Sequence, residues 1–457
     1  GLVGVVSKSG GTKGIVDSIS RYANSARRGQ IATWLIGLLV FFDDYANCLI
    51  VGNTMRPISD KLKISREKLA YIVDATAAPV SSIALISTWI GFEVGLIGDG
   101  LSKYGIDGDP YLIFLQTIPY RFYPILSLIM IVFVVGLNRD VGSMLHAEKR
   151  ARVRGEVLRP GSVPTADTES EALIPKHGSV VRWQNAAIPI IFLVVGTFAG
   201  LYMDGLSNMS ESTTGLIEKA SINEILAYAD SFKVLLWTSF LGTILAITLA
   251  ASQRILSLRE CLNSMISGMR SMMTAMIILV LAWSIGTVCK ELETAHYIVE
   301  ICSGIITPSL LPFLTFVMAA LISFATGSSW ATMAILIPII IPIAHEINTA
   351  GAIAQEGSTH TLVTSLSSIL AGAVFGDHCS PISDTTIMSS MSAGVDHIDH
   401  VRTQLPYALT VALVGVLVGD IPSGFGVNPW ISLTVGSFVL FLVVRFLWKP
   451  LPASEDR

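Results

Sequence analysis

A short apolar stretch in the second half of the chain carries two carboxylates, an imidazole and a helix breaker. The sequence FGDHCSPISDTT places Asp377, His378 and Asp384 on either side of a proline, Pro381. Proline has no backbone N–H and disfavours a helical conformation of the residue before it, so a helix is expected to unwind here. Unwinding would expose backbone carbonyls beside the carboxylates and hydroxyls. Oxygen ligands of this kind suit a hard cation rather than a soft metal.

Acids, amides and hydroxyls also interrupt three other apolar regions, in the motifs FFDDYAN, DATAAPVSS and ATGSSWATM. A desolvated carboxylate can bind a proton or a cation but not both at once, so the set favours a site where H⁺ and Na⁺ compete. No metal is expected beyond Na⁺. The candidate cation- and proton-binding residues are Asp43, Asp44, Asn47, Asp74, Thr76, Ser328, Ser329, Asp377, His378, Ser380, Asp384 and Thr385.

The carboxylates also have structural interpretations. A charged residue at the bilayer centre costs about 2.5–3.5 kcal/mol on insertion scales, so each acid needs a reason to be there. Asp74 and Asp384 could cap broken helices, and any of the acids could pair with Arg or Lys. Helix capping is a weaker explanation for Asp43 and Asp44, because two adjacent acids occur there at a turn. His378 could share a proton near neutral pH, or it could only hydrogen-bond the unwound backbone.

Composition places the chain among helical membrane proteins. Of its 457 residues, 52% are hydrophobic and only 14% are charged, whereas a soluble domain has about a quarter charged residues. No basic stripe is interleaved with aromatic residues, which argues against nucleic-acid binding. The five cysteines form no CxxC pair and no metal-ligand spacing, so they are expected to be small buried side chains. No cofactor is expected.

Repeated apolar segments near the ~20 residues that cross a bilayer predict several membrane spans. The segment RDVGSMLHAEKRARVRG is densely basic, which places loop 139–182 in the cytoplasm by the positive-inside rule. The expected location is the inner (plasma) membrane of a bacterium. The predicted spans are 69–98, 120–138, 186–203, 232–251, 265–288, 361–392, 405–420 and 430–447.

Two further apolar segments are predicted to be re-entrant hairpins. Residues 31–56 have basic residues on both flanks, so both ends are expected in the cytoplasm with FFDDYAN at the tip. Residues 308–345 carry ATGSSWATM in their middle, and both of their flanks are expected outside. Irregular backbone at membrane depth is tolerated only where it is buried in protein or faces water. The two tips therefore indicate a cavity.

Four features of the first half recur in the same order in the second. The first is a match between GVVSKSGGTKGIVDSI and GTVCKELETAHYIVEI, and the second is the hairpin that follows each of them. The third is a match between DATAAPVSSIAL and GDHCSPISDTTI, and the fourth is a Pro-Tyr pair that follows in both halves. Segment 69–98 is expected to run outward and its counterpart 361–392 inward, so the repeats are inverted. The predicted fold is an all-α polytopic membrane protein with inverted-topology repeats, two re-entrant hairpins and two unwound transmembrane helices.

The repeats divide the chain into four parts. The first repeat, 1–138, is expected to be N-terminally incomplete, because the chain opens without Met on what resembles the tail of a helix. It holds hairpin 31–56 and broken helix 69–98. The basic loop covers 139–182. The second repeat covers 183–422 and holds hairpin 308–345 and broken helix 361–392. A terminal helix and tail cover 423–457.

The motifs FFDDYAN, DATAAPVSS, ATGSSWATM and FGDHCSPISDTT resemble those of the NhaC-type sodium–proton antiporter family. The resemblance covers nearly the whole chain, apart from the basic loop around 140–182 and the last helix. It implies a transporter with paired re-entrant hairpins and unwound helices, and Na⁺/H⁺ exchange as the activity. Similar proteins exchange organic acids or other organic solutes, and no motif separates these substrates.

The residues and the resemblance together favour a secondary Na⁺/H⁺ antiporter that works by alternating access, and not an enzyme. The alternative is a Na⁺- or H⁺-coupled antiporter of an organic acid or other organic solute, whose carboxylate would be held by hydroxyls and helix N-termini. An intramembrane enzyme and a channel are weaker hypotheses. The expected partners are the lipid bilayer and a small ion or small organic solute, and a homodimer is left open.

Four other polar residues are expected to lie outside the site. Glu93 and Arg121 fall toward the outer ends of their segments and are expected at the membrane interface. His397 and His400 have the HxxH spacing of some metal ligands, but a solvated cytoplasmic turn is the favoured interpretation.

Overall fold

The computed structural model describes residues 1–20, 22–164, 181–212, 229–270, 307–350 and 357–452, with isolated positions at 225, 277, 280, 284, 287–288 and 291–293. The described chain is almost entirely helical, as predicted. One short antiparallel ladder joins Arg139–Asp140 (β1) to Lys449–Pro450 (β2). It ties the start of the basic loop to the end of the last helix.

The helices of the first half often begin at a side-chain cap. Ser25, Asp43 and Ser65 each accept a hydrogen bond from a backbone N–H in the first helical turn, which satisfies a donor that the helix itself cannot. The helices are α1 Leu2–Lys8, α2 Gly11–Ser20, α3 Ala26–Leu39, α4 Asp44–Lys61, α5 Arg66–Ala75, α6 Ala78–Ile83, α7 Ile90–Tyr104, α8 Pro110–Thr117, α9 Phe122–Leu137 and α10 Gly142–Arg154.

The second half contains longer helices. The described ones are α11 Gln184–Ser212, α12 Ser231–Ser252, α13 Leu258–Arg270, α14 Leu311–Thr326, α15 Ser329–Ala350, α16 Gly357–Cys379, α17 Asp384–Ala393, α18 His397–Val414, α19 Ile421–Gly424 and α20 Pro429–Leu442. A π-helical segment, Gly415–Asp420, joins α18 to α19, and a second, Val443–Leu447, follows α20.

Six of the described helices are long and apolar enough to cross a membrane, or seven spans if one bent pair is counted as a span. The bent pair, Pro110–Tyr120 and Phe122–Leu137, turns by 44° at its break and covers the predicted span 120–138. Four of the six overlap the predicted spans 186–203, 232–251, 405–420 and 430–447, and Thr359–Cys379 covers most of 361–392. The sixth is Ser329–Ile347, which belongs to a predicted hairpin.

Both predicted hairpins are present in the chain. Hairpin 1 consists of α3 and α4 and turns at residues 40–43, and hairpin 2 consists of α14 and α15 and turns at residues 327–328. A serine at or just after a helix break contacts each hairpin at or near its turn. Ser81 Oγ donates to Phe41 O at 3.2 Å, and Ser380 Oγ donates to Phe324 O at 2.8 Å. The two halves therefore fix their hairpin tips by the same kind of contact.

Both predicted helix breaks are also present, with different details. Broken helix 1 consists of α5 and α6, separated at residues 76–77, and broken helix 2 consists of α16 and α17, separated at residues 380–383. Pro381 lies inside the second break, whereas Pro79 lies in the first turn of α6. The first broken helix also ends earlier than the predicted 69–98, because residues 84–89 are not helical and α7 follows as a separate helix.

The two broken helices run in opposite directions. The start of α5 faces the basic helix α10, where Glu148 accepts from Ser65 N and Oγ at 2.8 Å each. Helix α5 and helix α17 pack antiparallel, because Arg66 Nη1 donates to Gly394 O at 2.8 Å while Thr386 Oγ1 donates to Asp74 Oδ2 at 3.0 Å at the other end. Helix α5 therefore leaves the side of the protein where α10 lies, and α17 returns to that side. The predicted inverted topology is confirmed.

Some predictions fall on residues outside the described part of the chain. They include most of span 265–288, most of the repeat motif at 286–301, and residues 165–180 of the basic loop. The division of the chain at residues 138, 182 and 422 stays a prediction.

Candidate functional site

Three interruptions of helices inside the protein meet in one region. They are the tip of hairpin 1 and the breaks of the two broken helices. Tyr45, beside the tip, donates a hydrogen bond to Asp384 at the second break. Thr386, two residues further on, donates to Asp74 at the first break. Hairpin 1 of the first half therefore packs directly against the broken helix of the second half.

Asp43 and Asp44 are adjacent, but their environments differ. Asp43 caps α4 by accepting a hydrogen bond from Ala46 N at 2.7 Å. Asp44 is the first residue of α4 and is 2% exposed. A negative charge on Asp44 would be repelled by Asp43 and by Asp384. Asp43 thus has a structural capping role, while the carboxylate of Asp44 lies among other acids.

Asp377 lies at the second break among hydroxyl groups. Its side chain is 1% exposed, and its Oδ2 lies 3.5 Å from both Ser329 Oγ of hairpin 2 and Thr385 Oγ1 of α17. Its Oδ1 has no hydrogen-bond partner within the described residues. Contacts of 3.5 Å are long for hydrogen bonds between oxygens. Asp377 and its two hydroxyl neighbours therefore keep the capacity to bind a further group.

Asp74 is the most extensively contacted acid of the region. Its Oδ2 accepts hydrogen bonds from Thr386 Oγ1 at 3.0 Å and from Gln404 Nε2 at 2.9 Å. The Nε2 atoms of His378 and His400 lie 3.8 and 3.9 Å from the same oxygen. These contacts link α5 with α16, α17 and α18. Asp74 therefore couples the two broken helices at the level of their breaks.

Asp384 differs from the other four acids because it is exposed. Its side chain accepts hydrogen bonds from Tyr45 OH and, at 2.8 Å, from Thr385 N. Asp43, Asp44, Asp74 and Asp377 are all buried. Asp384 thus marks the side on which the acidic region opens to its surroundings.

The five acids repel one another, and two histidines lie near one of them, Asp74. A charge on Asp377 would be repelled by Asp384, Asp74 and Asp44. Among the described residues, no Lys or Arg lies within ion-pair distance of any of the five. Burying carboxylates without a counter-charge is costly unless they bind a proton or a cation.

Four of the candidate residues form hydrogen bonds with backbone groups rather than with the acids. Asn47 Nδ2 donates to Gly37 O at 2.8 Å, to Val40 O at 3.3 Å and to Thr76 O at 2.9 Å, which fastens hairpin 1 to the first break. Thr76 Oγ1 donates to the carbonyls of its own helix. Ser328 accepts from Ala331 N at the start of α15, and Ser380 donates to Phe324 O. These side chains position the site.

Two interface predictions are wrong. Glu93 and Arg121 are fully buried, and Arg121 Nη2 lies 2.9 Å from Glu93 Oε2. Arg121 also donates to Ser82 O at the end of broken helix 1 and to Thr117 Oγ1. Each residue would be costly to bury alone, but the two charges compensate each other inside the protein. The pair supports the outer end of broken helix 1.

The predicted solvated position of His400 is also wrong. His400 is buried and its Nδ1 lies 2.8 Å from Ser390 Oγ, whereas His397 is partly exposed and its Nε2 lies 2.6 Å from Pro381 O. Both histidines therefore face broken helix 2. Sequence reasoning also missed Gln404, although His400 and Gln404 are four residues apart and share a helix face.

The imidazole of His378 is held by two aromatic residues. Its Nδ1 lies 2.6 Å from Tyr123 OH, and its ring stacks against Tyr71 at a centroid distance of 6.4 Å. The backbone carbonyl of His378 accepts from Gln404 Nε2 at 2.6 Å. Within the described residues, no group of three His, Cys, Asp or Glu side chains has the arrangement of a resident metal site.

Comparison with known proteins identifies the family. The sequence model of the Na⁺/H⁺ antiporter family matches residues 80–419. The chain belongs to this family. The predicted membership of the NhaC-type antiporters is thereby confirmed. Family membership supports a secondary antiporter in a membrane, a transporter rather than an enzyme.

Two relatives and one solved structure are similar to this chain. An uncharacterised protein of Haemophilus influenzae is 33% identical over 97% of this chain and 82% of that protein. The malate-2H⁺/Na⁺-lactate antiporter of Bacillus subtilis is 29% identical over 38% of this chain and 35% of that protein. The YdaH transporter of Alcanivorax borkumensis shares the fold with a TM-score of 0.51 at 16% identity, over 94% of this chain and 86% of that chain.

Proposed function

We propose that this antiporter exchanges Na⁺ for H⁺ by alternating access, with both ions competing for the carboxylates around Asp377. One observation carries the proposal. Four buried carboxylates and one exposed carboxylate lie at three helix interruptions, with no Lys or Arg paired to any of them among the described residues. Such a set is stable when it holds positive charge, either as bound protons or as a hard cation with oxygen ligands.

The exchange follows because the carboxylate of Asp377 can bind a proton or Na⁺ but not both at once. Na⁺ bound by Asp377 with the hydroxyls of Ser329 and Thr385 would neutralise the mutual repulsion of the acids. A proton arriving on Asp377 removes its negative charge, weakens the coordination and releases Na⁺. Asp44 and Asp384 contribute further negative charge at the opening. The remaining candidates, Asn47, Thr76, Ser328 and Ser380, keep the tips and breaks in place.

Alternating access would come from the two broken helices and their hairpins. Asp74 connects α5 to α17 and, through Gln404, to α18. A change in the charge around Asp74 and Asp377 would therefore be transmitted to both halves of the protein. Inverted repeats allow the site to open to one side and then to the other. We place the protein in a bacterial inner membrane with the basic loop in the cytoplasm.

The test is the variant Asp377→Asn, assayed as Na⁺-induced proton movement in everted vesicles. It should abolish exchange, because the amide cannot hold a proton or a negative charge. In the wild type, direct competition should lower the apparent Na⁺ affinity by about tenfold for each pH unit of acidification below the pKa of the competing carboxyl, and should leave it unchanged well above that pKa. Asp107→Asn, at an exposed position between α7 and α8, is the matched control and should exchange normally. Unchanged exchange in folded Asp377→Asn would reject the site.

A second candidate function is exchange of an organic acid coupled to Na⁺ or H⁺. The observation that favours it is the similarity to the malate-2H⁺/Na⁺-lactate antiporter of Bacillus subtilis. The acidic environment of Asp377 opposes it, because a carboxylate substrate would meet negative charge. Proteoliposome flux of ²²Na⁺ with and without malate or lactate on the opposite side separates the two. Exchange that requires the organic acid would replace the first candidate by the second.

A further inference from the structure

The outer half of α16 is buried but rich in hydroxyl groups. Of its apolar window within Thr359–Cys379, 94% of the residues are buried inside the protein. Thr361, Thr364, Ser365 and Ser368 occur there at spacings of three and four residues, which places them along one side of the helix. All four are buried. Burying a row of hydroxyl groups inside a membrane protein is costly unless they form hydrogen bonds or bind a polar group.

A carboxylate from a neighbouring helix reaches this row. Asp420 ends the π-helical segment Gly415–Asp420 and is 1% exposed. Ser368 Oγ donates to its Oδ1 at 2.6 Å, whereas its Oδ2 has no hydrogen-bond partner within the described residues. Ser365 Oγ, one turn from Ser368 toward the outer end of α16, is likewise without a partner there. Short π-helical segments inside helices often occur at functional sites.

Asp420 has no counter-charge among the described residues. The elements packed against segment Gly415–Asp420 are α9, α14, α18, α19 and α20, and α16 reaches Asp420 through Ser368. In the described part of the chain, no Lys, Arg or His lies within ion-pair distance of Asp420. In contrast, the other buried outer acid, Glu93, is neutralised by Arg121. The titratable and charged groups on the packed elements are Tyr123 on α9, His360, Asp377, His378 and Cys379 on α16, and His397, Asp399, His400, Arg402 and Tyr407 on α18.

We propose that Asp420, with the hydroxyls of Ser365 and Ser368, is a second proton-binding site that passes protons between the outside and Asp377. This inference rests on the proposed function, because it assigns the outer route of the exchanged proton. Nine residues of α16 separate Ser368 from Asp377, or about 13 Å along the helix. When the proton leaves Asp420, the O–H bond on its carboxyl breaks and an O–H bond forms on a water molecule, and successive transfers between water molecules end with an O–H bond on the carboxylate of Asp377. Asp420 then takes up a proton from outside, so that charge and atoms balance.

The test uses purified protein in proteoliposomes of known orientation, with ²²Na⁺ flux measured as external pH is varied. Asp420→Asn should slow exchange several-fold and flatten its dependence on external pH, because the outer proton site is lost. Equilibrium ²²Na⁺ binding in detergent should stay at the wild-type level, because the central acids are intact. Asp420→Glu should restore the external pH dependence. Ser423→Ala, which removes a hydroxyl that donates to the Asp420 carbonyl and not to its carboxylate, is the control and should match the wild type.

A second variant that keeps the carboxylate provides the test if Asp420→Asn does not fold. Ser368→Ala removes the donor to Asp420 and keeps the carboxylate, so proton binding there becomes easier. The midpoint of the external pH dependence should move to higher pH. Wild-type pH dependence in Asp420→Asn or Ser368→Ala, or loss of ²²Na⁺ binding in either folded variant, would overturn the inference. Absence of any Na⁺-driven proton flux in the wild type would instead reject the proposed function itself.

Discussion

Two groups of buried charged side chains in the described part of the chain contrast with each other. In the first, opposite charges meet, as in Lys68 with Asp140 and Arg121 with Glu93. In the second, carboxylates meet other carboxylates, as Asp377 does with Asp384 and Asp44. Unlike the first group, the second has vacant capacity for positive charge. The distinction between compensated and uncompensated acids locates the candidate site better than burial alone.

Sequence reasoning identified the second group but misplaced members of the first. An aspartate beside Pro381 stands out, because both the helix breaker and the acid are local signals. The pairing of Glu93 with Arg121 is not local, since the residues lie on different helices and only packing brings them together. The same holds for His400 and Gln404, whose partner Asp74 belongs to the other repeat. Pair contacts between separate helices could not be predicted from spacing.

The Glu93–Arg121 pair should contribute strongly to stability when one partner is removed. Arg121→Ala leaves Glu93 buried without its counter-charge, and breaking a buried ion pair costs about 3–5 kcal/mol. Thermal unfolding in detergent should show a large loss of stability. The double variant Glu93→Gln with Arg121→Met should recover part of it, because no lone charge remains.

The matched control for this prediction is Lys233→Ala. Lys233 pairs with Asp204 at 2.8 Å, but its side chain is 56% exposed, and surface pairs contribute about 0–1 kcal/mol. Its melting temperature should stay close to that of the wild type. Equal losses for Arg121→Ala and Lys233→Ala would contradict a structural role for the buried pair.

At the scale of elements, the sequence predicted the hairpins and breaks because their signals are short-range. Turn residues such as Gly327 and Ser328, and flanking apolar runs, define hairpin 2 without knowledge of the fold. The position of each break was less predictable. Pro381 lies within its break, whereas Pro79 starts a new helix, where its missing N–H costs nothing. The same residue type therefore serves two local structures, and neighbouring packing decides between them.

The tip of hairpin 2 should depend on Gly327. Gly327 ends α14 with φ +66°, and a Cβ there would lie 2.7 Å from Ile382 O in the second break. Gly327→Ala therefore combines left-handed strain of about 1–2 kcal/mol with a backbone clash that separates the tip from the break. Both melting temperature and Na⁺-driven exchange should fall.

Gly105 provides the matched control for Gly327. It ends α7 with φ +63°, but a Cβ there would meet nothing within 4 Å. Gly105→Ala should carry the strain alone, with a modest loss of stability and normal exchange per folded molecule. Equal exchange in both variants would show that contact between the hairpin tip and the second break is not needed.

At the scale of the whole molecule, inversion explains why two dissimilar halves build one acidic region. Helix α5 enters from the side of the basic helix α10, and α17 leaves toward the same side, so the breaks meet between them. Hairpin 1 then contacts the second broken helix through Tyr45 and Asp384. The repeat and the positive-inside rule predicted this arrangement from sequence. The contact partners of each acid required the three-dimensional packing.

Inversion makes a definite prediction about which loops share a side of the membrane. The exposed residues Val153 and Ile398 should lie in the cytoplasm, and Asp107 and Phe425 should lie outside. Single cysteines at these positions, labelled with a membrane-impermeant maleimide in right-side-out and everted vesicles, report the sides. Asp107→Cys and Phe425→Cys should react only from outside, because α7 and α19 end there.

The pair Ile398 and Phe425 gives the sharpest form of this test, because one continuous helical run of α18, the π-helical segment and α19 connects them. Unmodified protein is the control for the native thiols, of which Cys48, Cys261 and Cys379 are buried. Labelling of Ile398→Cys and Phe425→Cys from the same side would mean that this run does not cross the membrane. The second repeat would then not be inverted relative to the first, and the route from Asp420 to Asp377 could not lead outside.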